Sequence, residues 1–133
     1  MGKTYEIVVE KDQELKDVIY QFILAQGWER AYISGAVGSL QSVELTTPIK
    51  LEFPPQVKTF SFEGPAEILN FTGEVMPREK MDPAMQKIYA HEQGPLFAHI
   101  HASIAVPGSR VYGGGFQKGR AFLKVKVFIH SLE

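Results

Sequence analysis

Apolar residues recur along this chain in two different periods. From Thr4 to Glu10 they alternate, Tyr5, Ile7 and Val9 against Glu6, Val8 and Glu10, which predicts a half-buried strand. The period then changes. Leu15, Val18, Ile19, Phe22 and Ile23 recur at helical spacing behind Asp12, a residue suited to an N-cap, and ahead of Gly27, suited to a left-handed C-terminal position. A helix over about 12 to 26 follows. Beyond it the alternating period returns. Ala31 to Leu45 carries Tyr32, Ile33, Val37, Leu40, Val43 and Leu45, and its interruption by Gly35 and Gly38 predicts a strand bent or bulged at the glycines. Pro48 to Phe53, Val57 to Glu63 and Ala66 to Met76 read as further strands separated by Pro54-Pro55 and Gly64-Pro65. A short helix is predicted from Asp82 to His91, with Asp82 capping and Pro83 at the first helical position. Leu96 to Val106 and Ala121 to His130 are the clearest strands, and Pro107-Gly108 supplies a turn after the first. The fold class expected is α+β: a single domain over residues 1–133, with a mixed or antiparallel sheet of about six to eight strands packed with one long helix and one short helix.

Composition narrows the class of protein. A chain of 133 residues with 44% hydrophobic and 22% charged residues is long enough to bury a core without covalent staples and is not disordered. It contains no cysteine, so disulfides and thiolate zinc sites are excluded, and any metal must be held by His, Asp or Glu. The opening residues lack the unbroken apolar region of a signal peptide, and no apolar run reaches membrane-spanning length, so the expectation is a cytoplasmic protein that engages no membrane. Charge is unevenly spread. Residues 1–92 carry nine bases against fourteen acids, whereas residues 93–132 carry five bases, Arg110, Lys118, Arg120, Lys124 and Lys126, and no acid. That acid-free stretch is read either as solvated or complementary surface charge or as an anion site.

The candidate chemistry lies in the same stretch. His99 and His101 are one residue apart in a predicted strand and therefore project from one face, together with Phe97, Ser103 and Ala105. The opposite face carries Leu96, Ala98, Ile100, Ala102, Ile104 and Val106. Core packing does not explain the imidazoles, which face water, a pocket or another subunit. A His-X-His pair is half of a metal site, because zinc takes three or four converging ligands. His91, Glu92, Glu67 or a neighbouring subunit could complete the shell; in the other reading the pair lines a polar cavity and hydrogen-bonds to backbone and Ser103. Gly113, Gly114 and Gly115 allow either close approach of backbone N–H groups to an anion or a tight strand connection. Arg110, Lys118 and the Tyr112 hydroxyl flank them. His130 reads as a surface residue. Gly35 and Gly38 lack the rest of a dinucleotide-binding fingerprint, and no order of residues identifies a catalytic nucleophile.

Four segments, in order, carry a resemblance: Ser34-Gly35-Ala36-Val37-Gly38; Gly64-Pro65-Ala66-Glu67-Ile68-Leu69; His99-Ile100-His101-Ala102-Ser103; and Val111-Tyr112-Gly113-Gly114-Gly115-Phe116 with Gly119. Together they resemble the PPC domain, the plants and prokaryotes conserved domain, in its stand-alone form. The resemblance implies a compact homotrimer with the histidine strand near subunit contacts. It also implies metal such as zinc in some prokaryotic members, and a DNA-binding label owed mainly to a separate AT-hook in plant members. The chain departs from the family pattern at three points. Pro65 and Ala66 replace an Arg-Phe pair, Gly115 replaces a third histidine, and no AT-hook is present.

The function expected is a homotrimeric binding or regulatory module with a pocket for a small ligand or metal, its partner beyond itself being a small molecule or another protein. Its ligand residues are His99, His101, Gly113, Gly114, Gly115, Tyr112, Arg110 and Glu67. Any metal, zinc being the candidate, falls to His99, His101 and His91. A metal-dependent or His-based enzyme is the alternative. Sequence-specific DNA binding is not expected from a chain with net charge −1.

Overall fold

A computed structural model describes residues 3–90 and 92–133. The strands are β1 (Thr4–Val9), β2 (Ala31–Val37), β3 (Ser39–Pro48), β4 (Val57–Pro77), β5 (Leu96–Val106), β6 (Arg110–Ala121) and β7 (Val125–Ser131), and the helices are α1 (Leu15–Gln26) and α2 (Pro83–Ile88). All seven strands join one sheet in the order β1-β7-β2-β4-β3-β6-β5, and every pairing is antiparallel. The α+β class stands, with no parallel pair among the described strands and with the longer helix only 12 residues long.

β4 organises the sheet. Its first half pairs with β3, its second half pairs with β5 from Glu67↔Ala105 to Pro77↔Leu96, and Ala31 to Ile33 of β2 pair with Val75 to Gly73. Because β5 also pairs with β6, and β6 with β3, strands β3 to β6 close into a ring, while β2, β7 and β1 extend as an open wing. Gly73 makes the crossing of β4 and β5 feasible. A Cβ there would lie 2.0 Å from the carbonyl oxygen of His99 and 2.6 Å from Cα of Ile100.

One core fills the molecule. Ile100 and Ile104 of β5 meet Phe71 and Phe116, whose rings pack edge-to-face at 5.0 Å, and Val127 and Ile129 of β7 meet Ile7 and Val9 of β1. Onto this α1 lays Leu15, Ile19 and Ile23, each fully buried and four residues apart, so they form one stripe. Gly27, at φ 73°, ends the helix in a Schellman turn, with its N–H on the Leu24 carbonyl and the Trp28 N–H on that of Ile23.

The differences from the predicted elements have identifiable causes. α1 begins at Leu15, with Glu14 rather than Asp12 in the capping position, because the end of β6 pins the preceding segment, in which Asp12 is left-handed at φ 72° and Glu14 extended. Asp12 N–H donates to the Ala121 carbonyl, Ala121 N–H donates to Gln13, and Glu14 bridges to Arg120. Ala31 to Leu45 is divided between β2 and β3 at Gly38, whose φ of 145° turns the chain against β7. Pro48 to Phe53 is not a strand. Ile49, Leu51 and Phe53 alternate but find no partner and stand exposed in a loop that the Ile49 N–H closes onto the Gln56 carbonyl. The two strands predicted on either side of Gly64-Pro65 are one, since β4 runs through that pair while exchanging β3 for β5. The glycine cluster lies within β6 rather than in a turn, and the strand predicted from Ala121 begins at Val125. β5 has the predicted limits.

Candidate functional site

The ladder between β5 and β6 stops at His101↔Gly115. Towards its start β5 stays with β4, whereas β6 from Phe116 onward stays with β3, so the two strands part like a fork. The opening is partly filled by the helices. Tyr20 of α1 places its hydroxyl where a β6 carbonyl would have been and accepts the Ala98 N–H at 3.0 Å; burial pushes that phenol's pKa up to about 12. Tyr89, at the end of α2, packs 5.2 Å from the buried ring of Phe97.

What remains is a cavity of ≈ 170 Å³. His99, His101 and Gly115 line it together with Thr46, Tyr89, Gln117 and Lys16. The imidazoles lie edge-to-face with centroids 5.1 Å apart, as expected for neighbours on one strand face. Burial, with the like charge of His101, lowers the pKa of His99, and Glu74 across the ladder acts weakly the other way. Gly115 faces His101 directly. Its missing Cβ would meet Thr46 Oγ1 at 3.1 Å, so the glycine keeps open the place a side chain would take. Gln117 Nε2 donates to Thr46 Oγ1 at 2.9 Å and to the Tyr89 hydroxyl at 3.3 Å.

Lys16 is the residue that the sequence pattern does not reveal. It follows Leu15 on the buried stripe of α1 and is only 6% exposed. Its Nζ lies 3.4 Å from Glu92 Oε1, and the other oxygen of Glu92 lies 3.6 Å from Arg78 Nη2. Burial lowers the lysine's pKa, opposed by Glu92. Glu92, expected as a candidate metal ligand, is thus engaged by two cations.

The remaining candidates disperse. Gly114 turns to the inside of the ring, where a Cβ would lie 2.6 Å from the Thr46 carbonyl oxygen. Gly113 sits opposite Ser103, whose hydroxyl bonds to Asn70 Oδ1 at 2.6 Å rather than to an imidazole. Tyr112 stacks on Phe60 at 4.5 Å and borders a separate groove. Arg110 is exposed at the far end of the β5–β6 hairpin, and Glu67 borders a third groove beside Ser39 and Pro107. His130 is partly exposed, 2.9 Å from Ser34 Oγ and 3.2 Å from Thr4 Oγ1. His91 lies outside the described residues.

Zinc does not fit the described part of this site. No three His, Asp or Glu side chains converge among the described residues, and Gly115 has no ligand to offer where one would face His101. The basic stretch is also less free than its sequence reads. Lys118 lies 3.8 Å from Glu44, Arg120 3.8 Å from Asp12, and Lys126 3.9 Å from Glu6.

Comparison with known proteins accounts for this architecture. The profile of the Plants and Prokaryotes Conserved (PCC) domain matches residues 1–133. A plant- and prokaryote-conserved protein from Pyrococcus horikoshii superposes with a TM-score of 0.77 at 24% identity, over 98% of this chain and 79% of its own. A metal-containing protein from Archaeoglobus fulgidus gives 0.74 at 23% identity, over 97% of this chain and 79% of its own. A candidate DNA-binding protein from Bacteroides thetaiotaomicron gives 0.74 at 15% identity, over 100% of this chain and 81% of its own. No curated protein matches significantly in sequence.

Proposed function

The chain belongs to the Plants and Prokaryotes Conserved domain family, and we propose that it is a homotrimeric binding module whose β5–β6 fork takes a small ligand. One observation carries the reading: His99, His101 and the open face of Gly115 border a single half-open pocket at the place where two strands of a ring part. A space of ≈ 170 Å³ suits a ligand of a few heavy atoms rather than a nucleotide.

The trimer rests on the family and on the sheet face turned away from α1. Thr4, His130, Tyr32, Glu74 and His99 form one row across five strands, and Val8, Lys126 and Val37 form another, beyond the row of Glu6, Phe128 and Gly35. Tyr32 and Val37 are exposed there with no helix over them. An enzyme is the second reading, favoured by His99, whose lowered pKa leaves a neutral imidazole able to accept a proton at neutral pH. The intrachain ion pairs of Lys118, Arg120 and Lys126 count against a DNA-binding role, since a paired cation releases fewer counterions from a duplex.

Light scattering combined with imidazole NMR tests the reading. The expected mass is three times 14.9 kDa, and small molecules that enter the fork shift the His99 and His101 ring signals. A mass of 14.9 kDa, or imidazole signals that no compound in a broad fragment collection moves, would refute it.

A further inference from the structure

We infer that the fork selects a small organic carboxylate, with Lys16 as the charge that recognises it. This rests on the pocket reading above and gives its ligand a chemical class. The polar side chains that line the cavity are one lysine, two imidazoles and neutral hydroxyl and amide groups, all able to donate to an anion. They include Lys16, Thr46, Gln117, His99 and His101, and no Asp or Glu is among the described lining residues. Lys16 is not cancelled by its ion pair. Glu92 is shared between Lys16 at 3.4 Å and Arg78 at 3.6 Å, so these three side chains hold two positive charges against one negative, with the partly buried Glu14 carboxyl a weaker influence on Lys16.

The desolvation of that ammonium has already been incurred in folding, because the side chain is buried whether or not a ligand is present. An entering carboxylate therefore meets a fixed, poorly hydrated cation, and preorganised charge of this kind favours binding where a surface lysine would not. Thr46 adds a second contact. Its hydroxyl oxygen accepts from Gln117 Nε2 at 2.9 Å, which leaves its own hydrogen to be donated to an anion. Apart from Thr47 and Tyr89, the rest of the wall is apolar or glycine. Val57, Met85, Ile88, Phe97 and Phe116 line it, so the geometry fits an anionic head with a short hydrocarbon end and disfavours inorganic phosphate or sulfate, which present oxygen on every side.

Titration calorimetry of the full chain with butyrate, butyramide and butylammonium tests this. Butyrate should bind at least about tenfold more tightly than butyramide, and butylammonium should not bind detectably. Lys16→Met, which keeps the length and burial but removes the charge, should bring butyrate down to the level of butyramide. Should that variant fail to fold, Thr46→Val in the same titration should weaken butyrate more than butyramide, and the wild-type ranking alone still decides. Butyramide binding as tightly as butyrate would overturn the carboxylate inference while leaving the pocket reading intact. Undiminished butyrate binding by folded Lys16→Met would also overturn it. If none of the three binds, the inference fails. Imidazole signals that other fragments still move would then show that the pocket reading survives.

Discussion

Replacing Glu14 by Gln should stabilise the protein in alkaline solution and leave it nearly unchanged in acid. Glu14 stands at the entry to α1, where the segment after β1 is bridged to the end of β6, and its two oxygens share the Gly119 N–H at 2.8 and 3.1 Å. Burial raises its pKa from 4.5 to about 7; the Gly119 and Lys16 N–H groups lower it, the charge of Asp17 raises it and that of Lys16 lowers it. Glu44, Glu63, Lys118 and Arg120 border the same groove. Between 4.5 and about 7 the folded chain holds a proton that the unfolded chain has lost, so stability falls as pH rises through that window, and the loss is complete above it. At 1.36 kcal/mol per pH unit the ceiling is about 3 kcal/mol, and because the side chain is only partly buried about 1–2 kcal/mol is expected. A neutral amide keeps an acceptor for Gly119 and never ionises. Urea unfolding of wild type and Glu14→Gln should therefore show the variant about 1–2 kcal/mol more stable near pH 8 and equal within error near pH 3.5, about a unit below the unfolded-state value. His99 titrates with a lowered pKa in both proteins and cancels in the difference, and the attraction between Lys16 and ionised Glu14 is already contained in the pKa of Glu14. A variant less stable than wild type near pH 8, or a gap that does not narrow on acidification, would refute the account.

Two further substitutions probe the frame of the site. Gly73→Ala forces a methyl group onto the His99 carbonyl at 2.0 Å, so the β4–β5 crossing must open; a loss of more than about 3 kcal/mol in the same unfolding assay is expected, and a loss under about 1 kcal/mol would show that the crossing is compliant. Gly115→His places a third imidazole opposite His101, with Thr46 Oγ1 yielding a few tenths of an ångström, and should raise zinc affinity over wild type as read by competition with a chelator, an increase that His101→Ala removes.

How much of this was legible in the sequence depends on whether one strand or several hold a feature in place. The β5 alternation gave both its limits and the outward face of the histidines, because each residue's side is set by its own strand's two-residue period. The resemblance carried by the four segments was likewise sufficient for the family, since motif order survives without knowledge of pairing. The breaks of strand identity were not legible. Nothing in Gly64-Pro65 tells a turn from a strand that passes from β3 to β5, and Ile49, Leu51 and Phe53 alternate as well as any true strand while lacking a partner. The site itself was half visible. His99, His101 and Gly115 meet as expected from adjacent strands, but Tyr112, Arg110 and Glu67 were grouped with them by nearness in sequence or motif, and the ladder registers carry them elsewhere. Lys16 and Gln117 were missed for the opposite reason. A lysine beside an apolar helical stripe ordinarily reaches solvent. Lys16 is buried because β5 and β6 part beneath it and Glu92 supplies a counter-charge from 76 residues away. A lone lysine flanked by Leu15 and Ile19 on a helix that must cover a closed ring could have raised the question, but only the parting of the ladder answers it.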